Sequence, residues 1–223
     1  MSPTPSPATR RRDAALPDPE AVAHLRAADP VLRGVIDRVG PFEAAMERDL
    51  WWALVDAIAS QQLSVKAAAT IVGRLHALGE GGAPPGPEQL LDAPDETLRG
   101  AGLSRAKTTY VRDLAARWLD GRLRRDEIPG LPDEEVIATL TQVKGIGRWT
   151  AEMVLIFCLD RPDVLPVDDL GIRVAAQRWY GLPERPGRDE LERIAEPWRP
   201  FRTLASRYLW RSLNATPLAG PPG

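Results

Sequence analysis

Cysteine is nearly absent from this chain of 223 residues, where Cys158 stands alone. One thiol cannot make an intramolecular disulfide framework, ligate an iron–sulfur cluster or build a Cys-rich zinc site. A reducing, cytoplasmic setting is the simplest inference. Histidine is almost as scarce, and the isolated His24 and His76 read as structural or surface residues. No apolar run reaches the roughly 18 residues that a membrane span needs. The N-terminal stretch MSPTPSPATRRRDAALPDPE is rich in Pro, Ser and Thr and lacks the apolar segment of a signal peptide. Residues 1–15 therefore read as a disordered tail. A positive excess is missing too, since the net charge is -2. That balance does not advertise a nucleic-acid partner, but whole-chain charge can hide a basic face. Arg105, Lys107, Arg112, Arg117, Arg122, Arg124 and Arg125 cluster in one region, and Arg199, Arg202, Arg207 and Arg211 in another. Taken alone, each cluster also suits a solvated helix face.

Strand signals are equally hard to find. The 43% hydrophobic content is enough for a core, and its apolar residues recur at helical spacing. Leu50, Leu54, Val55 and Ile58 form one such set, and Val65, Ala68, Val72 and Leu75 the next, with Ser64 as its N-cap. The stretch GEGGAPPGPEQLL, Gly79 to Leu91, reads as a loop, followed by a short helix up to Leu98. Ser104 caps a helix that stops at Gly121. Pro132 stands in the first turn of another, with Asp133, Glu134 and Glu135 suiting its positive end. Further helices are expected after Asp169 and through PFRTLASRYLWRSL. The expected class is all-α, without internal repeats.

The string LTQVKGIGRWTAEMVLIF is the most distinctive of the chain. A helix ending near Val143, a turn over Lys144–Gly147 and a helix from about Arg148 make a helix–hairpin–helix spanning about residues 132–158. Gly145 and Gly147 permit torsions that a side chain forbids and let another backbone approach closely. The amides that open the second helix, with its dipole, form an anion site suited to a phosphate. Lys144 and Arg148 flank it, and Ile146 sits between the glycines. Such contacts position a protein on DNA without reading sequence. A bare Gly-Ile-Gly is also compatible with a tight interhelical turn in which glycine merely relieves strain.

The longer string LTQVKGIGRWTA resembles the hairpin of the helix–hairpin–helix DNA glycosylase superfamily. LPVDDLGIR resembles the loop that carries that superfamily's essential aspartate, and Asp169 takes its place, three residues before Ile172. IASQQLSVKAAATIVGRL and GLSRAKTTYVRDLA resemble the 3-methyladenine DNA glycosylase II branch, the AlkA-like alkylation-repair enzymes. PWRPFRTLASRYLW is similar to that branch's C-terminal helix. The resemblance runs from about Asp49 to Leu213, with the motifs in the family's order. It implies two helical lobes with an active-site cleft between them, residues 49–159 forming the central lobe and 16–48 with 160–216 the other. The extra N-terminal α/β domain of larger bacterial relatives is not expected, because only about fifty residues precede Asp49.

The resemblance also implies a chemistry. Bifunctional glycosylase–lyases carry a lysine at the hairpin position that Trp149 holds here, and that lysine attacks the sugar. Tryptophan offers no nucleophile, so hydrolysis to an intact abasic site is expected. Alkylation at N3 or N7 of a purine weakens the glycosidic bond, leaving the enzyme to stabilise an oxocarbenium-like sugar. A carboxylate at ~4 Å and an effective dielectric of about 20 contributes on the order of 4 kcal/mol, roughly a thousandfold in rate. In the pair Asp168–Asp169, one aspartate is expected to cap the following helix, Asp168, leaving Asp169 for catalysis. A base must be flipped out to be reached. Trp149 and Met153 are expected on one wall of its pocket, with Trp198 and Phe201 as candidates for the other. Trp51, Trp52, Trp179 and Trp210 read as packing residues. Gln61 and Gln62, with Leu63 in reserve, are expected to plug the duplex from the SQQLS turn that Ser64 closes. A plain capping turn is the alternative there.

Catalysis by this resemblance needs no cofactor. A structural Na+ or K+ is expected on the backbone carbonyls of Thr141, Val143 and Ile146. Cys158 reads as a buried small apolar group. The implied partner is duplex DNA containing alkylated bases, chiefly 3-methyladenine and 7-methylguanine, met by a monomer with no membrane contact. The setting is the bacterial cytoplasm and nucleoid, or a nucleus. A catalytically silent helix–hairpin–helix module that binds DNA is the rival reading.

Overall fold

The computed structural model describes residues 16–43, 49–123 and 125–214; the expected tail, Arg124 and residues 215–216 of the expected lobe lie outside them. Among the described residues there are twelve α-helices, two short 3-10 turns and no strand. The all-α expectation holds. The chain divides into two compact units, residues 1–47 with 160–223, and residues 48–159.

The terminal unit opens with α1 (Pro19–Ala28) and α2 (Pro30–Val39), both entered through an Asp-Pro pair. Asp18 accepts the Glu20 amide at 3.0 Å, and Asp29 accepts those of Val31 and Leu32 at 2.8 and 3.0 Å. Proline at the first helical position gives up an amide that would have no partner there.

The central unit follows with α3 (Leu50–Ser60), α4 (Val65–His76), α5 (Pro87–Asp92), α6 (Asp95–Gly100), α7 (Arg105–Leu119), α8 (Asp133–Leu140) and α9 (Arg148–Phe157). Ser64 and Ser104 cap α4 and α7, each accepting an amide three residues on at 3.3 Å. The expected loop over Gly79–Leu91 is shorter than its composition suggests. Pro87 opens α5 inside it, and Gln89 turns back to accept the Gly86 amide at 2.8 Å. Pro94 then separates α5 from α6 where one helix was expected, because the residue before a proline avoids the α region. The buried Trp51 indole pins this loop by donating to the Pro85 carbonyl at 2.9 Å. Leu54, Val55, Ile58, Val111, Leu114 and Leu155 are among the fully buried residues of this unit. Each such side chain contributes about 1.5–3 kcal/mol by leaving water.

The chain returns to the terminal unit through α10 (Leu170–Tyr180), α11 (Arg188–Ala195) and α12 (Arg202–Ser212). Gly181, left-handed at φ 62°, ends α10. Their core includes Leu25, Leu32, Ile172, Trp198, Tyr208 and Leu209. Inside it lies a buried carboxylate, Asp29, whose second oxygen accepts the Trp198 indole N–H at 2.8 Å and the Tyr180 hydroxyl. Burial, and then the Asp29 carboxylate, push the Tyr180 hydroxyl far above its ordinary pKa, so it remains a donor. The segment leading to α10 is strapped to α12. Thr203 donates its hydroxyl to the Arg161 carbonyl at 2.6 Å and accepts the Val164 amide at 3.0 Å. Asp163 accepts Nε of Arg202 at 2.7 Å. These bonds fix the approach to Asp169.

Candidate functional site

In the central unit α8 ends at Leu140, three residues earlier than expected, and the turn to α9 runs through Gly147. Val143 and Ile146 are buried and anchor it, and the Ile146 amide donates to the Val143 carbonyl at 3.1 Å. The two glycines differ. Gly145 is left-handed at φ 84°, and a Cβ there would stand 2.2 Å from Cδ2 of Tyr110. Gly147 has φ -95° and ψ 174°, which any residue adopts, and no atom lies within 4 Å of a Cβ built on it. The expectation of a forbidden torsion at both is corrected to Gly145 alone. Gly147 is the N-cap of α9 and brings no side chain to bond the first amides. The first turn of α9 thus has no side-chain cap and starts beside an open position, the setting of an anion site.

Lys144 is exposed, and its amide donates to Asp113 at 2.9 Å. Burial pushes the Asp113 carboxyl up, but the Lys144 amide and the Arg117 guanidinium outweigh it and hold the pKa below the usual range. Arg148 is exposed and ion-paired. Its guanidinium spans Glu134, at 2.9 Å through Nη1, and the buried Glu152, at 3.0 Å through Nε. These ion pairs orient the group while its side chain stays 44% exposed.

The SQQLS turn packs beside the hairpin. Gln61 donates its side-chain amide to the Gly145 carbonyl at 2.7 Å. Lys107 reaches into the same turn, donating to the carbonyls of Ala59 at 2.8 Å and Gln61 at 2.7 Å. Burial lowers its pKa. At the tip Gln62 is left-handed at φ 57° and exposed, followed by the exposed Leu63. A cavity of about 750 Å3 lies between this turn, α3 and α9, with Gln62, Asp56, Trp149 and Met153 among its lining. Trp149 is 44% exposed. Cys158 also lines this cavity and is half buried, where a buried group was expected.

In the terminal unit Asp169 is 8% exposed and caps α10. Its Oδ1 accepts the Ile172 amide at 2.8 Å and the Trp210 indole N–H at 2.7 Å. The cap expected of Asp168 thus belongs to Asp169, because the side chain three residues before Ile172 meets that amide. Asp168 turns outward to Arg188 at 2.6 Å. Trp198 is corrected as well: fully buried and tied to Asp29, it has no face to offer a base. Phe201 is partly buried, set edge-on to His24 with centroids 5.3 Å apart. The second arginine cluster is largely committed within its unit. Arg199 and Arg202 hold Asp163, while Arg207 and Arg211 stack over Phe42 at 5.3 and 4.1 Å.

Residues 55–200 match the HhH-GPD superfamily base excision DNA repair protein family. The chain belongs to that family. Among HhH-GPD relatives, DNA-3-methyladenine glycosylase 1 of Schizosaccharomyces pombe is 37% identical over 197 residues, covering 86% of each chain. DNA-3-methyladenine glycosylase 2 of Escherichia coli is 31% identical, covering 85% of this chain and 64% of the other. The structure of the Schizosaccharomyces pombe 3-methyladenine DNA glycosylase in complex with abasic DNA superposes with a TM-score of 0.81 at 38% identity, over 90% of this chain and 98% of that one.

Three residues of this HhH-GPD chain escaped the sequence reading. Trp210 bonds Asp169, yet nothing marks it among the seven tryptophans of the sequence. Lys107 is one charge of a basic run, and Asp56 carries no signal of its own in the sequence. Only the α3 face shared with Ser60 could have hinted at Asp56, since its hydroxyl, one turn on, donates to Asp56 Oδ1 at 2.7 Å.

Proposed function

We propose that the chain is a monofunctional DNA glycosylase of base excision repair. It hydrolyses the N-glycosyl bond of alkylated purines, chiefly 3-methyladenine and 7-methylguanine, in duplex DNA and leaves an abasic site. Relatives bearing that activity in their names, and a neighbour solved with abasic DNA, support this reading. The observation that carries it is Asp169, a shielded carboxylate fixed by an amide and an indole N–H.

The bond from C1′ to the base nitrogen breaks with its electron pair going to the base, whose positive charge is thereby cancelled. Asp169 stabilises the cationic sugar and orients water, whose oxygen bonds C1′ while its proton passes to solvent. The donors that hold Asp169 are in place beforehand, so no reorganisation is needed as charge develops. Trp149 cannot form a Schiff base, and none of Lys66, Lys107 and Lys144 stands at its position. The flipped base enters the cavity beside Trp149 and Met153, while Gln62 and Leu63 fill the gap in the duplex. Lys144 and the first-turn amides of α9 hold a phosphate.

The carbonyls of Thr141, Val143 and Ile146 are neutral oxygen donors on one turn, and that of Val143 keeps a lone pair beyond its bond to the Ile146 amide. This donor set suits Na+ or K+, which would stiffen the turn without entering the reaction. No described helix is long and apolar enough to cross a membrane, and the expected place of work is the nucleoid or the nucleus.

The test is release of free base from methylated duplex DNA by the wild type and by Asp169→Asn. The wild type is expected to release 7-methylguanine, and the variant to bind DNA but release roughly a thousandfold less. Binding without release by both would establish the silent DNA-binding module instead. A borohydride-trapped covalent adduct would overturn the hydrolytic mechanism.

A further inference from the structure

The cavity beside Trp149 carries a group that the excision chemistry leaves unused. Asp56 lines it from α3, and among the described lining residues it is the one charged side chain. Opposite stand the aromatic and thioether groups of Trp149, Phe157 and Met153 on α9. The Ser60 hydroxyl donates to Asp56 Oδ1 at 2.7 Å and holds the carboxylate in place.

We propose that Asp56 is a specificity-determining residue that selects cationic purines and protects neutral ones from excision. This deepens the proposed function and rests on the cavity being the seat of the flipped base. A ring-methylated purine enters with a charge of about +1 and leaves neutral as it takes the bonding pair. A neutral purine enters uncharged and must leave as an anion unless it is protonated. At every stage the two differ by one unit of charge. A fixed carboxylate beside the base therefore favours the alkylated purine in the bound state and in the transition state alike. The aromatic and sulfur groups act in the same direction, since electron-rich faces attract cations. Discrimination thus needs no group that reads the methyl itself.

The experiment compares wild type and Asp56→Asn on duplexes holding a single 7-methylguanine or a single hypoxanthine, with enzyme in excess and released base quantified by mass spectrometry. Affinity for a duplex with a tetrahydrofuran abasic site, which places no base in the cavity, is measured alongside. The ratio of 7-methylguanine to hypoxanthine release is expected to fall by roughly tenfold to a hundredfold, with abasic-site affinity unchanged within about twofold. An unchanged ratio overturns the proposal. So does a loss of both bases accompanied by loss of abasic-site binding, which would mark Asp56 as a folding residue. A wild type that releases neither base sinks the glycosylase reading itself and this proposal with it.

Discussion

Alanine at Gly145 and at Gly147 is expected to have opposite consequences, although the two glycines are separated by one residue. At Gly145 the backbone is left-handed, and an L side chain there costs about 1–2 kcal/mol. The added Cβ would also stand 2.2 Å from Cδ2 of Tyr110 and 2.7 Å from Cε2 and Cγ. Carbon atoms rest at about 3.5–4.0 Å, so the ring or the turn must move by more than an ångström. Overpacking of that kind costs about 1–3 kcal/mol. Gly145→Ala should therefore lose about 2–5 kcal/mol, a large part of the roughly 5–15 kcal/mol that hold a domain folded. Gly147→Ala meets neither obstacle and should stay within about 0.5 kcal/mol of wild type. Its methyl group would instead stand before the first turn of α9 and weaken binding to an abasic duplex. Urea unfolding followed by tryptophan fluorescence, and fluorescence anisotropy on labelled DNA, separate the two effects. A Tyr110→Ala, Gly145→Ala double mutant should recover the clash and leave the torsional strain, giving a coupling of about 1–3 kcal/mol. Equal destabilisation by the two alanines, or no coupling to Tyr110, would refute the reasoning.

Lys107→Met removes two charge-assisted bonds to the carbonyls of Ala59 and Gln61. It is expected to cost about 2 kcal/mol in urea unfolding and to weaken abasic-duplex binding as the plug turn loosens. Trp210→Phe keeps the ring but withdraws the N–H from Asp169. Single-turnover base release should fall about tenfold with DNA affinity preserved, and wild-type rates would disprove the positioning role. Asp113 binds its proton more weakly when folded than when unfolded. Its contribution is therefore complete above the unfolded-state pKa of about 4 and is lost as the pH falls through the lower folded value. Asp113→Asn should cost about 1–2 kcal/mol at pH 7, and the difference from wild type should shrink as the pH falls below about 4; a gap independent of pH would count against it.

What was legible in the sequence was local. Ser64 and Ser104 cap the helices that follow them, because a cap needs only an amide three residues on. The same rule, applied strictly, assigns the α10 cap to Asp169 and not to Asp168, since the recipient is Ile172. Proline spacing, more than glycine content, set the boundaries of α5 and α6. What was hidden was long-range. Trp149 and Trp198 are chemically identical in the sequence, and only the approach of Asp29 to the indole of Trp198 consigns one of them to a core. Lys107 gave no sign that its amine turns inward, because that depends on where α3 ends relative to α7.

The hidden contacts share a purpose. Gln61, Lys107 and Asp113 together tie the SQQLS turn and the hairpin to α7, through Gly145, the end of α3 and the Lys144 amide. Two loops proposed to touch DNA are thereby mounted on one helix instead of moving separately. A wedge at the end of a free loop would lose to conformational entropy much of what it gains in the duplex. Gln62 is held in a left-handed conformation that a free chain rarely visits, with both neighbouring carbonyl anchors already made. The ordering cost of the proposed plug is met during folding, before DNA arrives. Asp169 follows the same logic in the terminal unit: the cap that starts α10 also fixes the carboxylate assigned to the sugar. Its position therefore depends on helix formation and on Trp210, and not on the substrate.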